Sequence, residues 1–373
     1  MIVDNINKIT TGLRVLVVPL DWGLGHATRC IPIINALISD NIEVILAGEG
    51  DTVKILAKAY PKLVILPLRG YRVHYSRNRA FFFLKMLLQL PKIALAIKHE
   101  KRWLKKTIIT HKINAVISDN RFGLQHKSIP AVFMTHQLQI ETGKKWLDTF
   151  AQKINYHFIN KFNECWIPDL PGRQHLAGKL SHPAKLPGVP VIYLGILSRF
   201  KKITTEKKYN LLIMLSGPEP QRSIFENMIL SQLKEYTGTA VLVRGLPGSE
   251  KKLEIPNEKL TIQNHLHANA LNELILQSEN IVARSGYSTV MDLFTLKQKA
   301  ILVPTPGQTE QEYLATYLME KKIFFTCPQQ NFSLQHALQS VNSFDFSFPA
   351  AITGLHIAVI QQWVEKINKR IRV

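Results

Sequence analysis

The chain has 373 residues, 46% hydrophobic and 20% charged, a balance that excludes bulk disorder, collagen and coiled coil and fits two folded domains or one large one. Lys and Arg outnumber Asp and Glu by 47 to 27, a net charge of +20, which favours an anionic partner: a phosphate-bearing ligand, nucleic acid or an anionic membrane surface. Only three cysteines occur (Cys30, Cys165, Cys327), too scattered for a disulfide framework or a zinc site, so a reducing compartment is expected.

Short apolar runs alternate with amphipathic stretches from Arg14 onward. Arg14–Pro19 (RVLVVP) has the pattern of a buried strand. A glycine-rich turn follows, then a helix with Ile31, Ile34 and Ile38 on one face and Pro32 near its start. Further strands are expected at Ile42–Ala47, Leu63–Leu66, Ala115–Ser118, Val132–Thr135 and Glu164–Ile167. A second series runs Leu211–Leu215, Ala240–Val243, Leu260–Ile262, Asn280–Ala283 and Ala300–Val303. Strand–helix alternation predicts parallel sheets covered on both faces. The expected division is a first domain over 1–195, a linker over 196–208, a second domain over 209–350 and a C-terminal amphipathic helix over 351–373. That helix carries Ile357, Ile360, Trp363, Val364 and Ile367 at helical spacing. No apolar run is long enough to span a bilayer, and no long apolar leader segment follows the first residues.

Ligands of parallel sheets sit beyond the carboxyl ends of the strands, so residues just after strands are the candidates. Asp21-Trp22-Gly23-Leu24-Gly25-His26 follows the first strand and opens a helix. Its glycines permit close backbone approach, its free N–H groups suit an oxyanion, and His26 can serve as a base. Arg29 lies one turn on. Arg284-Ser285-Gly286-Tyr287-Ser288-Thr289 makes a second anion cradle, and Asp292 can accept hydrogen bonds from a ribose diol. Pro304-Thr305-Pro306-Gly307-Gln308-Thr309-Glu310-Gln311 is a rigid loop presenting donors and acceptors to sugar hydroxyls. Asp119 and Arg121 follow the strand Ala115–Ser118, and His136 follows Val132–Thr135. Either His26 or Asp119 can take the proton of an acceptor hydroxyl. No H-x-x-H or E-x-x-H pair shares a helix face with a third ligand, so no metal site is expected.

The motifs R-S-G-x-S-T-x-x-D and P-T-P-G-Q-x-E-Q-E resemble the C-terminal half of the MurG-like glycosyltransferases of family 28, and D-W-G-L-G-H resembles their N-terminal glycine turn. The resemblance implies a GT-B fold, α/β, with two Rossmann-like parallel-sheet domains facing across a cleft and the C-terminal helix packing back on the N-terminal domain. It implies that the first domain binds the acceptor and the second the nucleotide sugar. It implies inverting transfer from a nucleotide-diphosphate sugar, with UDP the expected carrier, and no cofactor or essential metal. Carried over by position, the donor side comprises Arg199, Ser216, Gly217, Arg284, Ser285, Gly286, Ser288, Thr289, Asp292, Gln308, Glu310 and Gln311. The acceptor side comprises Gly23, Gly25, Arg29, Arg121 and His136, with His26 and Asp119 as catalytic candidates. The N-terminal turn lacks the fuller G-G-T-G-G-H of the peptidoglycan enzymes. G-L-G-H-A-T-R-C also resembles the nucleotide-sugar hydrolase of pseudaminic acid synthesis, which leaves a hydrolase or epimerase of the same fold as the alternative.

Between Arg69 and Lys112 stand twelve Lys/Arg and one acidic residue, Glu100, around the apolar run Phe81–Leu90. Interrupted by Lys85 and Gln89, that run is expected to lie on a membrane surface and not to cross it. The expected setting is cytoplasmic, peripheral on the inner face of the membrane, with a glycan or lipid-linked acceptor. No nucleic-acid-binding signature accompanies the charge, so nucleic acid is not an expected partner.

Overall fold

In the computed structural model, residues 12–72, 82–142, 144–251, 253, 257–350 and 354–371 are described; the side chains of 82–88, 145 and 371 are not. The first sheet is built from β1 (Arg14–Val18), β2 (Glu43–Gly48), β3 (Val64–Pro67), β4 (Ala115–Asp119), β5 (Ala131–Met134), β6 (Glu164–Ile167) and β7 (Val191–Tyr193), with helices α1 (Leu24–Ser39), α2 (Gly50–Ala59), α3 (Phe82–His111) and α4 (Lys145–Ile159) between them. Its strands are all parallel in the order β3-β2-β1-β4-β5-β6-β7.

The second sheet holds β8 (Tyr209–Met214), β9 (Ala240–Val243), β10 (Leu260–Gln263), β11 (Ser278–Ala283), β12 (Ile301–Leu302) and β13 (Phe325–Thr326). It is parallel in the order β10-β9-β8-β11-β12-β13. Its helices are α5 (Gln221–Leu233), α6 (Ala268–Leu276), α7 (Tyr287–Leu296), α8 (Thr309–Glu320) and α9 (Leu334–Asn342). Both sheets are covered on each face, so their central strands are continuous apolar runs, such as Val15–Val18 and Leu211–Ile213, all buried.

Strand order reverses between β1 and β4 in one sheet and between β8 and β11 in the other. These are the crevices where open parallel sheets bind ligands, and the turns after β1 and β11 both open there. Segment 194–208 between the sheets is irregular yet anchored, with Leu194, Leu197 and Phe200 buried. The last helix, α10 (Leu355–Ile371), returns to the first sheet's domain. Trp363 meets Trp166 of β6 edge-on at 5.3 Å, Lys366 pairs with Glu164, and Ile360, Val364 and Ile367 join a core shared with α1.

Two strands escape the sequence reading, β7 and β13, both short edge strands. Pro32 is not near the start of its helix. α1 begins at Leu24, which puts the proline in the interior and deprives the Thr28 carbonyl of its i+4 donor.

Candidate active site

Gly23, at φ 140°, lets β1 turn into α1 in a conformation that side-chain-bearing residues avoid. The first turns of α1 then carry His26 and Arg29 on the face opposite the end of β4. There Asn120, in the left-handed region at φ 55°, bends the chain just after Asp119.

Asp119 is fully buried and is the acceptor at the centre of the site. Arg29 grips it in a fork, Nε to Oδ2 at 2.9 Å and Nη2 to Oδ1. His26 Nδ1 lies 3.0 Å from Asp119 Oδ2 and 2.8 Å from Arg29 Nη2. Burial alone pushes the Asp119 carboxyl up, but Arg29 and His26 outweigh it and hold it below the usual carboxylate range. Burial and the Arg29 cation lower the His26 imidazole, only partly offset by Asp119, so the ring is neutral and able to accept a proton at neutral pH. The two residues between which the sequence left the base open are partners.

The second domain meets this site directly. Ser288, in the first turn of α7, donates from Oγ to the Gly25 carbonyl at 3.0 Å. A Cβ on Gly25 would lie 2.7 Å from that Oγ, so only glycine permits the approach. His136 reaches Glu310 Oε1 from Nε2 at 2.6 Å and stacks on Tyr287, ring centroids 4.3 Å apart. Tyr287 donates its hydroxyl to the Pro168 carbonyl, and Thr309 Oγ1 donates to the Glu141 carbonyl. Tyr287, Thr309 and Glu141 were not among the sequence candidates. Tyr287 stands inside a motif read from the sequence, but an aromatic there gives no sign of what it stacks on.

On the second domain's side, Ser216 and Gly217 follow β8, Gly217 at φ 101°, and Gly286 caps α7. Asp292 accepts from Ser198 Oγ at 2.6 Å; burial pushes its carboxyl up to about 6 despite nearby Arg199. Burial also lowers the Arg199 guanidinium, and its Nε has no partner among the described residues. Thr289 is half-buried one residue beyond Ser288.

Several candidates are occupied elsewhere. Arg284 is turned inward over the Phe225 ring and donates to the Val303, Pro304 and Gln221 carbonyls and to Gln329 Oε1. These bonds tie together the loops after β12 and before α5. Ser285 Oγ donates to the Gln311 carbonyl; Gln311 bonds Gln308 Oε1 and the Thr305 N–H. Ser285 and Gln311 therefore shape the loop from within, with Gln308 at its rim. Arg121 is also corrected: fully buried, it pairs with Glu100 at 2.8 Å, bonds the Arg69 carbonyl and lies over Tyr71, so it supports the loops from within. Arg29 is 2% exposed, so it organises the dyad and presents no free face to an acceptor.

Among the described residues, Asp169, His175 and His182 bring metal-type ligand atoms within 4.8 Å of one another. The Asp169 carboxylate already accepts from Leu170, Leu176 and Ala177 N–H and from Ser181 Oγ, which leaves it no lone pair directed at an ion.

Residues 223–349 match the glycosyltransferase family 28 C-terminal domain. That match lies within the second domain. The two-domain fold is GT-B, shared with the solved glycosyltransferases on which it superposes. Spinosyn forosaminyltransferase SpnP superposes with a TM-score of 0.60 at 13% identity, covering 96% of this chain and 99% of that one. Spinosyn rhamnosyltransferase SpnG complexed with thymidine diphosphate gives 0.60 at 15% identity, covering 96% of each. MurG from Acinetobacter baumannii gives 0.53 at 14% identity, covering 96% and 99%. No curated protein sequence matches the chain.

Proposed function

We propose that this protein is a family 28 glycosyltransferase, which transfers a glycosyl group from a nucleotide-diphosphate sugar to an acceptor hydroxyl with inversion. The observation that carries the reading is the His26–Asp119 pair facing the start of α7 across one crevice, Ser288 touching Gly25. Asp119 accepts from His26 Nδ1–H and leaves Nε2 as the base. The acceptor hydroxyl gives its proton to Nε2, its oxygen bonds to the anomeric carbon, and the bond from that carbon to the diphosphate oxygen breaks. The departing charge meets the backbone N–H groups at the start of α7, with Ser216–Gly217 beside them. Every step uses side chains and backbone of this chain alone. Asp292 and Arg199 fit the ribose end of the donor, and Gln308 and Glu310 the sugar. UDP is the proposed carrier; thymidine diphosphate, the ligand of the SpnG complex, is the competitor to test beside it.

The acceptor is proposed to be lipid-linked or glycan, met at a membrane surface. The apolar run at 81–88 lies outside the described side chains. Beside it, Leu95 of α3 is 68% exposed, and Trp146 and Phe150 of α4 are 69% and 58% exposed one turn apart, with Ile154 following. Phe158 of α4 and Ile93 and Ile97 of α3 belong to one apolar cluster with Leu20 and Tyr71. Lys98, Lys101, Arg102, Lys105, Lys106 and Lys153 are exposed around them, a basic rim that suits anionic lipid. No described helix is long and apolar enough to cross a membrane.

The test is incubation with UDP- and dTDP-sugars, with product configuration read by NMR. Transfer to acceptor with an inverted anomeric centre supports the proposal; free sugar or an isomer from donor alone would replace it with the hydrolase or epimerase reading. Flotation with phosphatidylglycerol vesicles, lost in the Trp146→Ala/Phe150→Ala protein, tests the surface.

A further inference from the structure

The charges beside His26 do not cancel. Asp119 and Arg29 balance each other in their fork, and His26 is neutral. A guanidinium only donates, so His136 Nδ1, 3.1 Å from Arg29 Nη1, accepts from it. The His136 hydrogen therefore sits on Nε2, and the ring is a neutral donor to Glu310 Oε1 at 2.6 Å. Glu141, whose carbonyl accepts from Thr309, has its carboxylate paired with Lys179 at 3.0 Å.

Glu310 is left without a cation of its own. Burial pushes its carboxyl up, but His136 and Arg29 outweigh burial and hold it below the usual carboxylate range, so it is ionised at neutral pH. Its place in the first turn of α8 favours the same charge. His136 occupies Oε1, no described residue donates to Oε2, and the side chain is 34% exposed. A fixed anion thus borders the crevice from the second domain, against His136 of the first.

An ionised carboxylate accepts hydrogen bonds and never donates. A sugar hydroxyl can give it one, and an ammonium group can give one together with the opposite charge. A sugar carboxylate has no hydrogen to offer and brings a like charge into a site partly screened from bulk water. Shape separates these groups poorly, because a uronic acid and its parent hexose differ at one carbon and hardly in bulk.

We propose that Glu310 sorts the donor by the charge of its glycosyl group: it excludes sugars that carry a carboxylate and favours those that carry a free ammonium group over neutral ones. This selection rests on the donor reading above, in which Glu310 stands at the sugar end, and its test separates the two.

The experiment is calorimetric titration with UDP and dTDP, then with three sugars carried on the nucleotide that binds: glucose, glucuronic acid and glucosamine, at pH 6, where the glucosamine amine is protonated. In the wild type the glucuronic acid donor is expected to bind about tenfold more weakly than the glucose donor, and the glucosamine donor about tenfold more tightly. Glu310→Gln keeps an acceptor oxygen for His136 and removes the charge, and both ratios are expected to shrink to within about twofold. Glu310→Ala, which also lacks the charge, is expected to flatten them likewise. Exclusion by shape would survive these substitutions; exclusion by charge would not. Equal affinity for the three donors in the wild type, or the wild-type ranking retained in Glu310→Gln and Glu310→Ala, overturns the proposal and leaves the donor reading intact. Binding of neither UDP nor dTDP overturns the donor reading and the proposal with it.

Discussion

Asp292→Asn should stabilise the free protein while weakening the donor nucleotide. Burial lifts this carboxyl from the ordinary aspartate value near 3.8 to about 6. The folded protein therefore keeps a proton that the unfolded chain has released, and stability falls as pH rises from about 4 to about 6, staying low above that. Two pH units correspond to about 3 kcal/mol as a ceiling, nearer ~1–2 kcal/mol once water at the crevice rim is allowed for. Asparagine removes this cost. At pH 7.5 the variant should melt roughly 1–3 °C higher than the wild type, and at pH 4 the two should coincide. The Ser198 hydroxyl keeps an acceptor oxygen in the variant, so the comparison isolates the charge. Thermal shift over pH 4–8, repeated with UDP, is the assay. Nucleotide affinity should drop about 10–100-fold, the loss of a charge-assisted hydrogen bond. Parallel wild-type and variant curves across that range, or undiminished nucleotide binding, would refute both the burial argument and the ribose assignment.

If His26 is the base, as proposed, His26→Ala should lower kcat by about 10²–10⁴ with little change in melting temperature, because the ring joins no apolar core. Asp119→Asn should lower kcat and also cost about 3–5 kcal/mol, since it leaves the buried Arg29 cation without its counter-charge; urea unfolding of the two variants separates these effects. Gly25→Ala should reduce kcat/KM by pressing on Ser288, and adding Ser288→Gly should recover part of the loss, a non-additive pair visible in a double-mutant cycle. Trp363→Ala should cost about 3–5 kcal/mol by unseating α10 from Trp166, measured by denaturant unfolding.

The parallel strands were legible because a strand buried on both faces reads as an unbroken apolar run, and β6 and β9 match their expected bounds residue for residue. β13 offers only two residues and β7 three, too few for a pattern. The dyad could be anticipated from position alone, since both residues follow central strands. Its geometry could not, because His26 and Asp119 are 93 residues apart and their contact depends on how α1 seats over β4. Strand-end arginines misled for the same reason. Arg284 turns inward because Phe225 and Gln329 make a berth for it, and neither is near it in sequence. For Arg121 a signal existed: Glu100 is the lone acid in a basic segment and falls at helical spacing with Ile97 and Leu104, which places a carboxylate in a core that must supply a cation.

The return of α10 to the first domain bears on how the chain is made. Trp166 and the buried face of α1 are completed by Ile360, Trp363, Val364 and Ile367, which leave the ribosome after every strand of both sheets has been synthesised. The first domain to be translated is thus the last to be finished. The second domain, closed on its own sheet, can acquire its native core during synthesis, while the first waits with an apolar groove open to chaperones.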